Sequence, residues 1–157
     1  MEAKSSEART KARIQIVEEH VRLENLHDLA GILSTFGPNA RYDDEPWDDH
    51  RIGRDQVHLY YKQMLSAAAD FRIEVRNRYA TGEAVILEVT ISGTHTGAWR
   101  GLPATGKKVS FPLCGIFTFD SEDRILGEKI YYDRASAHKC RWPLTIAGAF
   151  FRKMIGH

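Results

Sequence analysis

The chain has 157 residues, 43% of them hydrophobic, with 22 Lys and Arg set against 21 Asp and Glu. That length suits one domain able to bury its own core, and a formal net charge of +1 excludes recruitment to nucleic acid or anionic membrane by bulk charge. No run approaches the roughly 18 apolar residues of a membrane helix, and residues 1–13 lack the apolar centre of a secretion signal. A cytoplasmic protein is expected, with neither nucleic acid nor membrane as partner. Cys114 in an apolar run and Cys140 in a basic one match neither a metal knuckle nor a redox pair.

From Ser6 to about Phe36 the apolar residues Ile14, Val17, Val21, Leu26, Leu29, Ile32 and Leu33 recur every three or four positions, which predicts amphipathic helix. Asn25 and Asp28 mark a break within it. Gly37-Pro38-Asn39 ends the helical pattern, a short strand is expected over 40–44, and Glu45 to Arg54 reads as a polar loop. A further helix follows, capped by Asp55, with Val57, Tyr61, Met64, Leu65 and Ala68 as its buried stripe.

After Asp70 the period changes to two. Strands are expected at about 71–79, 84–96, 107–119 and 124–133, joined through tight turns at Ala80-Thr81-Gly82-Glu83 and Asp120-Ser121-Glu122-Asp123. Helices first and strands second predict an α+β domain rather than a parallel nucleotide-binding sheet, and no glycine-rich phosphate loop is present. Parity then assigns faces. Val85, Leu87, Val89, Ile91, Gly93 and His95 share one face, and Val109, Phe111, Leu113, Gly115, Phe117 and Phe119 another; both sets point inward. On the last strand, Lys129, Tyr131 and Asp133 share a face. If it too points inward, a lysine, a phenol and a carboxylate join His95 at the open end of an apolar cavity. A bulge at Gly93 would turn His95 away.

The segments Gly93-Thr94-His95-Thr96-Gly97, Gly101 to Pro112 and Ile130-Tyr131-Tyr132-Asp133, in this order of elements, resemble the SnoaL-like polyketide cyclases of the nuclear-transport-factor-2-like superfamily. The resemblance covers about residues 14–135. It implies a cone-shaped α+β fold, a curved antiparallel or mixed sheet around the amino-terminal helices, with a pocket inside and a homodimer formed through the outer sheet face. One domain over 1–157 is expected, with 136–157 as a helical extension. The resemblance also implies aldol ring closure without metal or organic cofactor, Asp133 acting as general acid/base and His95 polarising or orienting the substrate. A carboxylate whose pKa is raised by an apolar wall, beside a donor for the enolate oxygen, suits that chemistry. Lys129 departs from the family, which has an aromatic there, and would weaken Asp133 as a base by pairing with it.

The acidic run Asp43, Asp44, Glu45, Asp48 and Asp49 with His50 lacks the ligand spacing of a calcium loop and reads as a solvated cavity mouth. Glu45-Pro46 falls where the distantly related ketosteroid isomerases carry an Asp-Pro base. Those enzymes also need a first-helix tyrosine and a protonated acid on a central strand, where this chain has no Tyr before Tyr42 and a glycine at 115. Epoxide hydrolysis on this fold requires an Asp-Arg-Asp arrangement, which Asp133 and Arg134, pointing to opposite faces, do not make. Tyr42, Trp47, Tyr61, Trp99, Phe111, Phe117 and Tyr131 are expected to line or rim the cavity, suiting a flat or polycyclic apolar small molecule with a few oxygens. After Pro143, the apolar residues Leu144, Ile146, Ala147, Phe150, Phe151, Met154 and Ile155 predict a helix that packs on its own domain or its twin. The expected function is proton transfer on an apolar carbonyl compound, in ring closure or isomerisation. A noncatalytic small-molecule-binding or dimerisation domain is the alternative, because this fold does not determine function.

Overall fold

The computed structural model describes residues 2–137. Helix α1 (Glu2–Asn25) and the short α2 (Leu29–Ser34) precede strand β1 (Phe36–Asp44), a 3-10 turn (Glu45–Trp47), β2 (Asp49–Ile52) and helix α3 (Arg54–Ala67). Strands β3 (Arg72–Ala80), β4 (Ala84–Thr94), β5 (Lys108–Phe119) and β6 (Ile125–Tyr131) follow, and a single turn of helix, α4 (Arg134–Ala137), ends the described chain. The six strands form one mixed sheet in the order β2-β1-β6-β5-β4-β3. All neighbours are antiparallel except β1 and β6, which run parallel. The α+β architecture expected from the sequence is the one observed, with α1 and α3 held against the inner face of the sheet.

The expected helix break is an Asp28 cap, whose carboxylate accepts from Gly31 N at 2.9 Å. Two local expectations are corrected. Gly37-Pro38-Asn39 does not separate helix from strand but lies inside β1, where Pro38 falls in the stretch left out of the β6 register, between Phe36 and Arg41. The polar run 45–54 also contains β2, whose charged residues suit a sheet edge. Asp55 lies in the first turn of α3, and the cap position is Gly53, at φ 90°. The extension after residue 137, with its expected helix from Pro143, lies outside the described residues.

The core joins Val17 and Val21 of α1, Ile32 of α2, Val57, Tyr60 and Tyr61 of α3, and Phe36, Val85, Phe117 and Ile125 of the sheet. Arg13 bolts α1 to two strand turns. It pairs with Asp123 at 2.8 Å, donates to Gly82 O at 2.6 Å and lies over the Phe119 ring. At the other end of α1, Asn25 behaves as an extra strand residue for β3, accepting from Ile73 N at 2.7 Å and donating to Ile73 O at 3.0 Å. No described helix is long and apolar enough to cross a membrane.

A bulge decides the face of the last strand. Thr118 pairs with Gly127 but Phe119 pairs with Ile125, so Leu126 is an extra residue. Ile125 is fully buried, and uninterrupted alternation from it would turn Lys129, Tyr131 and Asp133 inward. The bulge reverses the phase, and Glu128, Ile130 and Tyr132 face the interior instead.

Candidate active site

Sheet and helices enclose a cavity of about 970 Å³. Leu87, Val89 and Ile91 of β4 and Val109, Phe111, Leu113 and Phe117 of β5 form its apolar wall, as strand parity predicted. The β4–β5 register runs unbroken to Gly93↔Val109 and Thr94↔Lys108, so no bulge turns His95 outward.

His95 opens the loop that rims the cavity. Its backbone N–H donates to Lys107 O at 2.9 Å, and its carbonyl accepts from Thr105 N and Gly106 N. Imidazole Nδ1 lies 3.1 Å from Thr105 Oγ1, while Nε2 is buried without a hydrogen-bond partner among the described residues. Farther along, Trp99-Arg100-Gly101-Leu102 is a tight turn closed by two backbone hydrogen bonds, with Arg100 at φ 52° and Gly101 at φ 77°, the signature of a type I′ turn. Ala67 O, at the end of α3, accepts from Thr96 N and Gly97 N at 2.9 and 3.0 Å. A side chain at Gly97 has no room, since its Cβ would fall 2.1 Å from Ser66 O. Gly97→Ala is expected to lift the loop from α3 and to cost about 1–3 kcal/mol, the usual range for overpacking. A lower urea midpoint together with faster proteolysis within 95–106 checks it.

The turn aims Arg100 inward. Its guanidinium reaches Asp44 at 2.5 Å and also pairs with Asp49, and it lies within 5.5 Å of the ring centres of Trp47, Tyr60 and Trp99. Asp44, fully buried at the end of β1, also accepts from Tyr60 Oη at 2.9 Å and Tyr132 Oη at 3.4 Å. Burial raises its pKa, opposed by Tyr60 and Arg100. The Asp-Arg-Asp arrangement that Asp133 and Arg134 do not provide is thus made by Asp44, Arg100 and Asp49. Only the arginine of the three lines the cavity.

A second polar group occupies the floor. His20 and Glu24, one helical turn apart on α1, meet Tyr61 of α3 and Glu128 of β6, and all four are buried. His20 Nδ1 lies 2.7 Å from Thr35 Oγ1, whose own hydrogen is donated to Ile32 O, so Nδ1 is the donor. Nε2 is 3.0 Å from Tyr61 Oη, which is 2.5 Å from Glu128 Oε2. Tyr61 has a single hydrogen. Either it goes to a Glu128 carboxylate and His20 is imidazolium, or it goes to neutral His20 and Glu128 supplies a proton to Tyr61. The two arrangements differ by shifting protons along a preformed wire. Burial pushes the Glu24 carboxyl up to about 8, opposed by His20 and reinforced by the Glu128 charge.

The expected site residues divide accordingly. Tyr42, Trp47, Trp99, Phe111 and Phe117 line the cavity with His95, whereas Tyr61, also expected there, does not line it and stands behind Glu128 as its hydrogen-bond partner. Four further expectations are corrected. Asp133 is exposed and is not among the residues lining the cavity. It caps α4, accepting from Ala135 N, Ser136 N and Ser136 Oγ at 3.1, 2.9 and 2.6 Å. Tyr131 is 45% exposed. Lys129 pairs with Glu45 at 3.2 Å, and neither lines the cavity. The cause for the β6 residues is the Leu126 bulge, and for Glu45 the 3-10 turn that sends its side chain to Lys129. His95 and Asp133 are therefore not brought together across the cavity.

The family model of the SnoaL-like polyketide cyclases matches residues 14–139. The chain belongs to that family. Among solved structures it is similar to AclR of Streptomyces galilaeus, a candidate hydroxylase, with 24% identity over 81% of this chain and 92% of that one and a TM-score of 0.70. An epoxide hydrolase/cyclase-like enzyme of pyran ring formation in the polyether salinomycin is 23% identical over 80% and 94% of the two chains, at a TM-score of 0.70. A ketosteroid isomerase-like protein from Catenulispora acidiphila, solved with trimethylamine, is 16% identical over 78% and 88%, at 0.67. These likenesses establish the fold. No curated protein matches the chain in sequence.

This SnoaL-like chain thus carries polar groups not read from the sequence, Glu24 and Glu128 on the floor, His20 behind them and Arg100 at the rim, and Asp44 of the acidic run expected to be solvated is instead fully buried against Arg100. A signal existed for the first helix, because Arg13, His20 and Glu24 fall on the same stripe as Val17 and Val21, where a solvated residue does not belong. Glu128 was hidden by the bulge. His20, Glu24 and Glu128 also present ligand atoms within 4.8 Å of one another, as do the buried Asp43 and the more exposed Glu45 and His50. In the first group Tyr61 and Thr35 already serve His20 and Glu128, and in the second Arg41 and His50 serve Asp43.

Proposed function

We propose that this SnoaL-like protein is an acid/base enzyme acting on an apolar, carbonyl-bearing polycyclic small molecule by proton transfer, in ring closure or isomerisation. The observation that carries the proposal is the His95 imidazole, seated in the wall of a 970 Å³ cavity with its buried Nε2 unpartnered among the described residues. In the tautomer that donates Nδ1–H to Thr105 Oγ1, Nε2 carries the lone pair, and a ligand reaches it by displacing the side chains that cover it in the cavity wall. Nε2 takes a proton from the carbon next to a carbonyl, the bonding pair moves into the enolate, and the same nitrogen returns the proton to the product. Neither a metal nor an organic cofactor enters this scheme. Asp133 is left out of it, being exposed and committed to a helix cap. Epoxide opening by the Asp44–Arg100–Asp49 group is not favoured, because neither carboxylate lines the cavity.

Aromatic methyl ketones of increasing length, incubated with the protein in heavy water, test the proposal without a known substrate. Deuterium is expected to enter next to the carbonyl faster with the native protein than with His95→Phe, by about 10²-fold or more for loss of a general base. Asp133→Asn, which retains a capping side chain, is expected to exchange like the native protein. Tight binding without exchange would favour the noncatalytic binding domain instead.

A further inference from the structure

The floor group lies far from His95 along the strands. Glu128 pairs with Phe117, whereas His95 sits beyond Val109 at the other end of β5. Eight residues separate Val109 from Phe117, about 26 Å of strand contour, shortened across space by the curvature of the sheet. No single carbonyl and its neighbouring carbon span that interval, so floor and rim do not act on the same two atoms.

We infer that Glu24, beside Glu128 and the Tyr61–His20 pair, forms a second ligand site that receives a carbonyl oxygen at the leading end of an elongated apolar molecule. Glu24, Glu128 and Tyr42 are among the residues that line the cavity. His20 and Tyr61 stand behind and position the two carboxyl groups. Most of the β4 and β5 wall above the floor is aliphatic or aromatic, with Ser92, His95, Arg100 and Thr105 toward the rim, so an oxygen carried to the floor meets its polar partners at Glu24 and its neighbours. Among the described residues, the titratable groups that act on Glu24 are His20 on its own helix, Tyr61 on α3, Glu128 on β6 and Tyr42 on β1. Burial and its neighbours hold both phenols neutral far into the alkaline range, and Glu24 retains its proton to about pH 8. A neutral carboxylic acid in an apolar wall donates a hydrogen bond, whereas a carboxylate repels a carbonyl oxygen. The inference rests on the small-molecule reading of the cavity but needs no turnover.

Calorimetric binding of naphthyl methyl ketone and of isopropenylnaphthalene, which differ only in C=O against C=CH₂, tests it. At about pH 6.5 the ketone is expected to bind native protein roughly tenfold more tightly than the hydrocarbon, the effect of one hydrogen bond in a dry site. That preference is expected to vanish as the pH passes about 8. In Glu24→Gln, whose amide donates at every pH, it persists. The native pH profile needs no variant, and the carbonyl stretch of the bound ketone, displaced to lower frequency only while Glu24 is protonated, gives a second measurement. Equal affinities at about pH 6.5, no binding of either compound, or a preference that falls with pH in Glu24→Gln as it does in the native protein overturns the floor site. His95→Phe separates the two proposals. The ketone preference is expected to persist in His95→Phe, and its loss there would place the carbonyl at the rim and overturn the floor site.

Discussion

Replacing Arg100 by methionine is expected to destabilise the protein by about 3 kcal/mol at neutral pH, near the lower end of the range for stranding one member of a buried ion pair. The loss comes from what remains behind. Asp44 is fully buried, its Oδ1 already lacks a partner, and without the guanidinium only the Tyr60 and Tyr132 hydroxyls serve Oδ2. Asp49 suffers less, since Arg51 still pairs with it at 2.6 Å. The stranded carboxyl then takes up a proton more readily, adding to the upward push that burial exerts in the native protein. A carboxyl whose folded-state pKa is raised supports the fold below its unfolded pKa and loses that support as pH climbs through the folded value. The Arg100→Met variant is therefore expected to be nearly native in stability at about pH 4 and to weaken progressively toward about pH 8. Asp44→Asn in the same chain is expected to restore most of the loss and to abolish its pH dependence. Urea midpoints of the single and double variants between those pH values check it, and a double variant no more stable than Arg100→Met removes Asp44 as the cause.

Glu24 is expected to impose a similar slope on the native protein. Its carboxyl rises from 4.5 to about 8 on folding, and the His20 pKa is raised too, where the Glu24 and Glu128 charges overcome the opposing effect of burial. Both shifts make the folded chain hold protons that the unfolded chain releases. Stability is then greatest below about pH 4.5 as far as Glu24 is concerned, and it declines to about pH 8 by at most about 1.4 kcal/mol per pH unit. The carboxylates held low by ion pairs, Asp43, Asp49, Asp120 and Asp123, oppose it only at the acid end, where they become protonated. Glu24→Gln keeps the size and polarity of the side chain and removes its titration. Between about pH 5.5 and 8 the variant's unfolding free energy is expected to fall less steeply than the native one. Identical slopes would show that Glu24 is ionised in the folded protein.

The two predictions probe different ends of one design. Arg100 and Asp44 join the rim turn to β1 and α3, so the mouth is shaped by a charge pair. The floor is shaped by protons shared among four buried side chains. Between them the wall is formed mainly by the aliphatic and aromatic residues of β4 and β5, which favours a ligand whose oxygens sit at its ends.

Short-range physics made much of this legible in one dimension. The three- and four-residue period of Val17 and Val21 and the alternation Val85-Leu87-Val89-Ile91 each declare a buried face regardless of what lies across from it. The same alternation, continued through Gly93, put His95 in the cavity wall, and the Asp28 cap announced the helix break. These are properties of a single element and survive without knowledge of its neighbours. The parity of β6 is not such a property. Both of its faces carry a tyrosine and an aliphatic or amphipathic residue, and the extra residue at Leu126 is defined only by its pairing with Thr118 and Phe119 on one side and β1 on the other. That one bulge turned Asp133 outward and Glu128 inward, exchanging the expected carboxylate for another. Likewise Arg100 looked like an ordinary loop cation until the left-handed turn carried it to Asp44, 56 residues away. Sequence alone determined the fold class and one cavity wall, because these depend on periodicity, and it pointed to the family through the resemblance of the segments around His95 and Asp133. Which charges face the ligand depended on register and long-range pairing, and only the tertiary structure decides those.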